Sequence, residues 1–428
     1  MKSNFTRALE KDSNGNIWLG TRQGISIWNR KNNFWRHIDY LNKNLTRSND
    51  IILSLKSDND FMWVGTYNKG LYKVNINTLK AIHINSAFPN NNVLDKIYAI
   101  EKDAKGNIWA GGIEKDLMVI DKSNTIKNYP IREVKSLAFG KDNFMYTAGR
   151  FGVHKINNED NSFQLLIENL AFKTNNLSYS TVNSLIVKDD GNLILATNGE
   201  GILTFNQENE SFEQVSIKNG LPSDIVQGLL LQDNNTLWAS TSNGLAKIVL
   251  KPDDNSIYVY DKEDGLTSSE FNYGSYFQIS ESEFAFGGID GVNYFNVDLI
   301  KENHYTPEII ISEMKLENKI STPGDGLLEK HINETESFSL KHYQNSIEFS
   351  FLGISHKFSN KIKYSWLLDG VSSQWSQPSE VNTANFINLE PGKYSFKVKA
   401  SNKYGDFGKV KEINFSIQSP WWLTRPAL

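Results

Sequence analysis

Short turns that contain polar and aromatic residues recur between strand-like segments of the chain. Arginine and lysine in such turns can bind the carboxylate or sulfate groups of sugars, and aromatic rings can stack on sugar rings. We predict a ligand site that draws on Arg22, Tyr67, Lys69, Lys115, Arg150, Phe151, Asn198, Glu200, Asn243, Asn272, Tyr273 and Asp290. The turns differ while the neighbouring strands repeat, which favours recognition as their function. The alternative is that several are ordinary solvated residues, and we expect no more than half of them to touch a ligand.

Carboxylates in three of these turns suggest a second chemistry. Glu114, Glu200 and Asp290 lie in equivalent turns, and a converging pair could hydrolyse a glycosidic bond. Loop carboxylates are more often solvated. The Asp-x-Gly-x-x-Trp spacing of sialidase-type boxes also fails, because the turn from Asp12 to Trp18 is one residue longer. We therefore predict no catalytic residues.

Composition excludes several other functions. The chain has no cysteine, and its seven histidines show no metal-ligand spacing, so we expect neither a metal site nor a disulfide. No phosphate-loop or dinucleotide fingerprint is present, and no cofactor is expected. A net charge of -4 argues against a nucleic-acid partner. No apolar run reaches the roughly 18 residues of a membrane-spanning helix.

The turns lie within a repeat. Seven copies align on one key position, which is Trp18, Trp63, Trp109, Tyr146, Ile194, Trp238 and Ala285, with spacings of 45, 46, 37, 48, 44 and 47 residues. Each copy has an alternating apolar run, a polar turn, the key strand and a further strand that usually starts with Gly and an aliphatic residue. A period of about 45 residues with four short strands is typical of propeller blades. We predict a seven-bladed β-propeller over residues 1–303, with the key aromatic residues as packing and no evident fourth strand in the last blade.

The period ends after residue 303, and a different strand pattern follows. Alternating segments at 346–354, 361–370, 385–405 and 410–418 predict an Ig- or fibronectin-like β-sandwich over residues 304–420. The fold class is therefore all-β. Residues 421–428 include Trp421 and Trp422, which either cap the sandwich or suit a membrane interface. We assign this segment as a juxtamembrane stub.

These motifs together carry a family resemblance. The repeat D-x-x-G-N-I-W-x-G-T-x-x-G-I resembles the two-component-regulator propeller repeats. The segment from Tyr364 to Trp375, followed by the segment around Tyr394, is similar to the three-Tyr sandwich that succeeds such propellers. Propeller and sandwich in this order resemble the periplasmic sensor regions of Bacteroidetes-type hybrid two-component systems.

The resemblance implies a periplasmic carbohydrate sensor that forms a homodimer and signals through a transmembrane helix C-terminal to Leu428. The chain departs from the family pattern, because it has one propeller and no signal peptide, membrane helix or kinase motif. Against the family pattern, we therefore expect a fragment with no enzyme activity of its own. Two alternatives remain: a propeller scaffold for protein interactions, and a polysaccharide-degrading enzyme.

Overall fold

The computed structural model describes residues 3–38, 51–84, 95–160, 162–168, 181–250, 255–300, 305–355 and 362–423. The chain divides into two compact units, Met1–Ile300 and Lys301–Leu428. The predicted domain boundary after residue 303 and most of the predicted juxtamembrane stub lie outside the described residues. No helix in the described ranges is long and apolar enough to cross a bilayer.

The first unit consists of seven antiparallel sheets, of which the first six have four strands and the seventh has three. The first three sheets contain β1 (Thr6–Lys11), β2 (Ile17–Thr21), β3 (Gly24–Asn29), β4 (Phe34–Ile38); β5 (Ile52–Asp58), β6 (Phe61–Thr66), β7 (Leu71–Asn75), β8 (Ala81–His83); β9 (Ile97–Lys102), β10 (Ile108–Gly112), β11 (Leu117–Ile120) and β12 (Ile126–Tyr129). The remaining four contain β13 (Val134–Phe139), β14 (Phe144–Gly149), β15 (Gly152–Asn157), β16 (Phe163–Glu168); β17 (Val182–Val187), β18 (Leu193–Thr197), β19 (Ile202–Asn206), β20 (Ser211–Val215); β21 (Val226–Asp233), β22 (Thr236–Thr241), β23 (Gly244–Val249), β24 (Ser256–Tyr260); β25 (Phe271–Gln278), β26 (Glu283–Gly288) and β27 (Gly291–Asn296).

The first strands of the seven sheets form a closed ring. Contacts run from β1 to β5, β9, β13, β17, β21 and β25 in turn, and β25 contacts β1. The unit is therefore a seven-bladed β-propeller, as the repeat predicted. Within the described residues the seventh blade has three strands, so the ring closes through its innermost strands.

The key aromatic residues are core residues that also make a polar contact. Trp18, Trp109 and Trp238 are at most 1% exposed. The indole N–H of Trp18 donates to the Asp12 carboxylate at 2.8 Å, and that of Trp109 donates to Asp103 at 2.9 Å. The same carboxylates accept backbone N–H groups of the turn. In both blades the Asp carboxylate thus closes the turn and accepts the N–H of a buried indole. A buried indole N–H without an acceptor would cost free energy.

Equivalent bonds recur in other blades with different partners. They join Trp63 to Asp58 at 3.3 Å, Tyr146 to Asp142 at 2.7 Å and Trp238 to Gln232 at 2.9 Å. The turn acceptor is therefore a feature of five of the seven blades, and the key residues of the other two, Ile194 and Ala285, have no side-chain donor. Burial of one large aromatic side chain contributes about 1.5–3 kcal/mol, so the propeller is stabilised by many similar contributions.

The second unit is a β-sandwich. One sheet has the order β29-β28-β31-β33 and the other β30-β35-β34-β32, with β28 (Glu308–Leu316), β29 (Lys319–Ile320), β30 (Ser337–Leu340), β31 (Ile347–Ile354), β32 (Lys363–Asp369), β33 (Thr383–Phe386), β34 (Gly392–Ser401) and β35 (Lys411–Ile417). Residues at alternate positions form the core, where the rings of Phe349 and Phe396 stack at 4.3 Å. The Tyr394 hydroxyl donates to the Glu390 carbonyl at 2.7 Å, the geometry of an Ig-type tyrosine corner.

Short 3₁₀ helices complete the described structure: Ile217–Asn219, Lys262–Asp264, Val297–Leu299, Ile332–Glu334 and Trp421–Leu423. In the last of these, Trp421 is 72% and Trp422 is 50% exposed. Trp422 places an edge against the His342 ring at 5.3 Å. The two indoles therefore leave most or half of their surface outside the sandwich core, so they are not simple capping residues.

Candidate ligand site at the mouth of the central channel

The turns between the second and third strands are held by a repeated threonine contact. The hydroxyls of Thr21, Thr66, Thr197 and Thr241 each donate to the carbonyl of the glycine that begins or precedes the next strand, at 2.8–2.9 Å. The same hydroxyls accept a backbone N–H from within the turn. In these four blades the threonine thus fixes the turn backbone, with glycine three residues later in blades one and six and four residues later in blades two and five, and the intervening side chains are free to vary. We call the end of the channel that carries these turns the upper mouth.

Ten of the twelve predicted site residues lie in these turns. Seven of them are exposed: Arg22, Tyr67, Arg150, Phe151, Asn198, Asn243 and Asp290. Lys69 and Lys115 are half-buried, and the Lys115 ammonium pairs with Asp95 at 3.1 Å. The placement of these residues at one mouth follows the prediction, and their contact with a ligand stays a prediction.

Three predicted residues occupy different surroundings from those expected. Glu200 is only 7% exposed, and the side-chain amide of Gln214 donates to its carbonyl and to its carboxylate. Asn272 and Tyr273 lie inside β25 and not in a loop. Asn272 is buried and donates to the Thr6 carbonyl at 2.8 Å, so it joins blade seven to blade one. The assignment of Asn272 and Tyr273 to mouth loops was wrong, because the irregular start of β25 was mistaken for a connecting loop.

A bulge recurs at the same position of every first strand. The pairing of first and second strands shifts around Arg7, Leu53, Tyr98, Lys135, Asn183 and Gln227 in the first six blades, close to the upper mouth. We call these six residues the bulge ring. A bulge re-aims a side chain and is common beside functional sites. The strands therefore present six chemically different side chains around the upper end of the channel.

Blade seven has a longer irregularity that enters the channel. The register of β25 and β26 shifts between Phe271 and Tyr276. Gly274 has φ of 74°, a conformation that favours glycine, and lies near the carbonyls of Arg7 and Leu53. The chain thereby carries Tyr273 across the ring, where its hydroxyl donates to the Lys135 carbonyl at 2.8 Å.

Two tyrosines consequently occupy the middle of the channel. The Tyr273 ring lies 5.7 Å from that of Tyr98. Tyr276 packs beside Gly228, and its hydroxyl donates to Ser184 at 2.8 Å. A cavity of about 470 Å³ lies along the channel and is lined by residues of all seven first strands. Tyr273 thus links blade seven to blade four, and Tyr276 links blade seven to blade five. Tyr273 also faces the bulge ring.

Three cationic groups, from blades one and four, lie at the upper mouth. The guanidinium carbons of Arg22 and Arg7 lie 3.6 and 5.1 Å from the centre of the Phe5 ring. Burial, and then the charge of Arg22, lower the pKa of Arg7. Burial likewise lowers the pKa of Lys135. The Glu133 carboxylate raises this pKa, and the Arg7 charge lowers it. The fold therefore holds positive charges close together in a partly dry place, which costs free energy.

The opposite part of the channel holds a different arrangement, which we call the lower cluster: Glu10, Lys56 and Glu101. The Lys56 ammonium lies 2.5 Å from the Glu101 carboxylate. Burial raises the pKa of Glu10 to about 7, although Lys56 works against this shift. Burial alone would lower the pKa of Lys56, but Glu101 and Glu10 outweigh it and raise that pKa. Here the chain supplies its own counter-charges.

The three turn carboxylates each have a nearby partner. Glu114 accepts from Lys96 at 2.6 Å, Asp290 lies 3.7 Å from Lys262, and Glu200 is bound by Gln214 as described above. Each partner belongs to the same blade or its adjoining linker, so these contacts give no paired catalytic arrangement. No group of three His, Asp or Glu side chains in the described part of the chain could hold a metal ion.

Three residues of the upper mouth were not predicted from the sequence. Arg7, Tyr98 and Lys135 lie within strands, and only turn residues had been considered. A signal exists: the second residue of the first strand differs in each of the first six blades, between a β-branched residue and a small Ala, Ser or Gly. An alignment of the seven first strands would have identified it.

Comparison with known proteins agrees with this architecture. Residues 1–23 match the family model of the two component regulator propeller, and residues 355–418 match that of the Y_Y_Y domain. The first match lies in the propeller unit and the second in the sandwich unit. It resembles the sensor regions of hybrid two-component systems, as the motifs indicated.

One curated relative is Histidine kinase P4 of Formosa agariphila. It is 28% identical over 442 residues, which covers 97% of this chain and 31% of the relative. The chain thus spans under a third of that protein's length.

Two solved structures share the fold across nearly the whole chain. The extracellular domain assigned to the hybrid two component system BT3049 of B. thetaiotaomicron has a TM-score of 0.77 and 22% identity, covering 98% of this chain and 56% of that one. The extracellular domain assigned to system BT4673 of the same organism has a TM-score of 0.55 and 21% identity, with 98% and 57% coverage. At these identities the comparison establishes the fold alone.

Proposed function

We propose that this chain is the extracytoplasmic, periplasmic sensor region of a hybrid two-component system and that it detects a carbohydrate. The observation that carries the proposal is the combination of a regulator propeller with a Y_Y_Y domain, over a length that aligns with part of a histidine kinase. The upper mouth supports a recognition role, since its turn backbones are fixed by threonine while their side chains vary. Aromatic residues beside polar groups suit sugar rings.

Signal transfer is the second part of the proposal. Ligand binding to the propeller changes the arrangement of a homodimer, and the sandwich passes this change to a membrane helix beyond Leu428. A ligand shifts such an equilibrium only by its differential affinity for the two arrangements. A coupling free energy of about 1–3 kcal/mol, usual for allosteric proteins, gives roughly a 5- to 150-fold bias.

Calorimetry of the purified chain against a library of neutral and acidic oligosaccharides tests the proposal. We expect saturable binding of at least one oligosaccharide with no release of reducing sugar. Reporters fused after Leu428 should then change their separation when that oligosaccharide saturates the protein. Turnover of the bound sugar would favour an enzyme, and failure of the whole library together with capture of a protein partner would favour an interaction scaffold.

A further inference from the structure

The cations of the upper mouth form no ion pair within the described residues, although the more distant Glu133 carboxylate raises the pKa of Lys135 against the effect of burial. In the described residues, no carboxylate lies within ion-pair distance of Arg7, Arg22 or Lys135, although thirteen ion pairs occur elsewhere in those residues. Within the described ranges, the Lys135 ammonium donates to the Asn183 side-chain carbonyl, at 3.3 Å, and to no other side chain. Buried or half-buried charges are usually paired, because desolvation of an isolated charge is costly.

Arg7 adds a more specific observation. Its Nε is buried and has no hydrogen-bond partner in the described part of the chain. An unsatisfied buried N–H of a charged group costs at least about 1–3 kcal/mol. The bulge holds Arg7 at the mouth, between the paired residues Thr6 and Ala8, and leaves this donor unsatisfied by the described residues.

Aromatic rings border the same cations. Tyr98 occupies the equivalent bulge two blades away, and the Lys135 ammonium lies 5.1 Å from the centre of the Tyr273 ring. Tyr67 stands in the adjoining turn and is 41% exposed. Flat apolar faces beside fixed cations suit a sugar ring that carries a negative substituent. A bare inorganic anion would make no use of these rings.

We propose that the bulge ring binds an acidic sugar unit, with Arg7 and Lys135 holding its carboxylate or sulfate group and Tyr98 lying beside its ring. The inference rests on the proposed carbohydrate-sensing function and narrows it to acidic glycans. Arg22 contributes to the field at the mouth and stays exposed. Bound anion satisfies the Arg7 donor and relieves the repulsion among the three cations, so binding stabilises the folded chain.

Matched pairs of oligosaccharides test this inference by calorimetry on the full chain. The carboxylate arm compares galacturonan tetramer with its methyl ester, and the sulfate arm compares short dextran sulfate with dextran of equal length. We expect one acidic member to bind at least about tenfold more tightly than its neutral counterpart. Arg7→Gln and Lys135→Gln should each weaken that binding by about tenfold or more, and Arg7→Lys should recover part of it.

Lys31→Gln is the matched control, because it removes the same charge from an exposed turn at the opposite end of blade one. It should change the affinity less than about twofold. Thermal unfolding of each variant confirms that it is folded. Equal loss in Lys31→Gln and Arg7→Gln would reveal general attraction of a polyanion and overturn the inference.

Other outcomes separate the inference from the function on which it rests. Tight binding of a neutral oligosaccharide that is insensitive to Arg7→Gln would overturn the acidic site and leave carbohydrate sensing intact. Absence of saturable binding for both acidic probes would also overturn the inference. Failure of every sugar in the wider library would remove the proposed function as well.

Discussion

The two ends of the central channel differ in whether their buried charged side chains form ion pairs. In the lower cluster, Lys56 lies between Glu10 and Glu101, and its pKa is raised by their charges. At the upper mouth, Arg7 and Lys135 have their pKa values lowered by burial and by positive neighbours. Both ends belong to the same seven strands, so the difference does not come from the fold. A charge that the chain neutralises itself is part of the structure, whereas the cations that form no ion pair in the described residues are the basis of the ligand site proposed above.

The largest effect should come from the packing that both ends share. Trp63 is 3% exposed and packs between blades two and three. Trp63→Ala should lower the free energy of unfolding by about 3–5 kcal/mol, measured by urea denaturation. The affinity of the folded fraction for its sugar should not change. A fully folded variant that has lost binding would contradict the assignment of this residue to packing.

A smaller loss is expected for the turn carboxylate. Asp103→Ala leaves the Trp109 indole N–H and the Asn107 backbone N–H without their acceptor, which should cost about 2–3 kcal/mol. Asp121→Ala is a control in the same blade, since Asp121 also accepts backbone N–H groups of a turn but serves no indole and is more exposed. It should cost about 1 kcal/mol or less. Equal losses would show that the indole bond is unimportant.

Glu10 should make stability depend on pH in a definite direction. Its folded-state pKa of about 7 exceeds the usual value, so the folded state binds more protons between about pH 4.5 and 7. The free energy of unfolding therefore falls as pH rises through this window. Glu10→Gln should be more stable than the parent at pH 8 by about 1–3 kcal/mol, since the raised pKa already includes the attraction to Lys56, and equal to it near pH 4. An unchanged pH profile would show that Glu10 is not the group responsible.

The smallest effect on stability is expected at the upper mouth. Arg7→Gln removes a desolvated charge that Arg22 repels, so the unliganded protein should be as stable as the parent or more stable by up to about 1 kcal/mol. Thermal unfolding in the absence of sugar measures this difference. A loss of 2 kcal/mol or more, roughly that of a broken buried charge pair, would indicate that Arg7 has a structural partner.

The elements that the sequence predicted correctly are those that repeat. Seven copies of one pattern specify the strands and the buried key positions, and four of the copies also share the contact between threonine and glycine in the turn. The sandwich also followed from alternation, which places residues such as Phe349 and Phe396 in its core. The match of propeller and sandwich motifs then led to the two-component resemblance.

The site was harder to predict because it depends on departures from the repeat. A bulge shifts one residue per strand toward the channel, and alternation alone does not reveal it. Arg7, Tyr98 and Lys135 were therefore missed, and Tyr273 was placed in a loop although it crosses the ring to reach Lys135. Burial of Glu200 depends on Gln214, fourteen residues away on the neighbouring strand, a contact that local sequence does not indicate.

Affinity measurements on one variant from each end of the channel test the central claim most directly. Arg7→Gln and Glu10→Gln each remove one charge from β1, three residues apart. Calorimetry with the acidic oligosaccharide that binds most tightly in the matched sets should show at least about tenfold weaker binding for Arg7→Gln and less than about twofold change for Glu10→Gln. Equal affinities for the two variants, or a larger loss in Glu10→Gln, would contradict the claim that the uncompensated upper mouth is the ligand site.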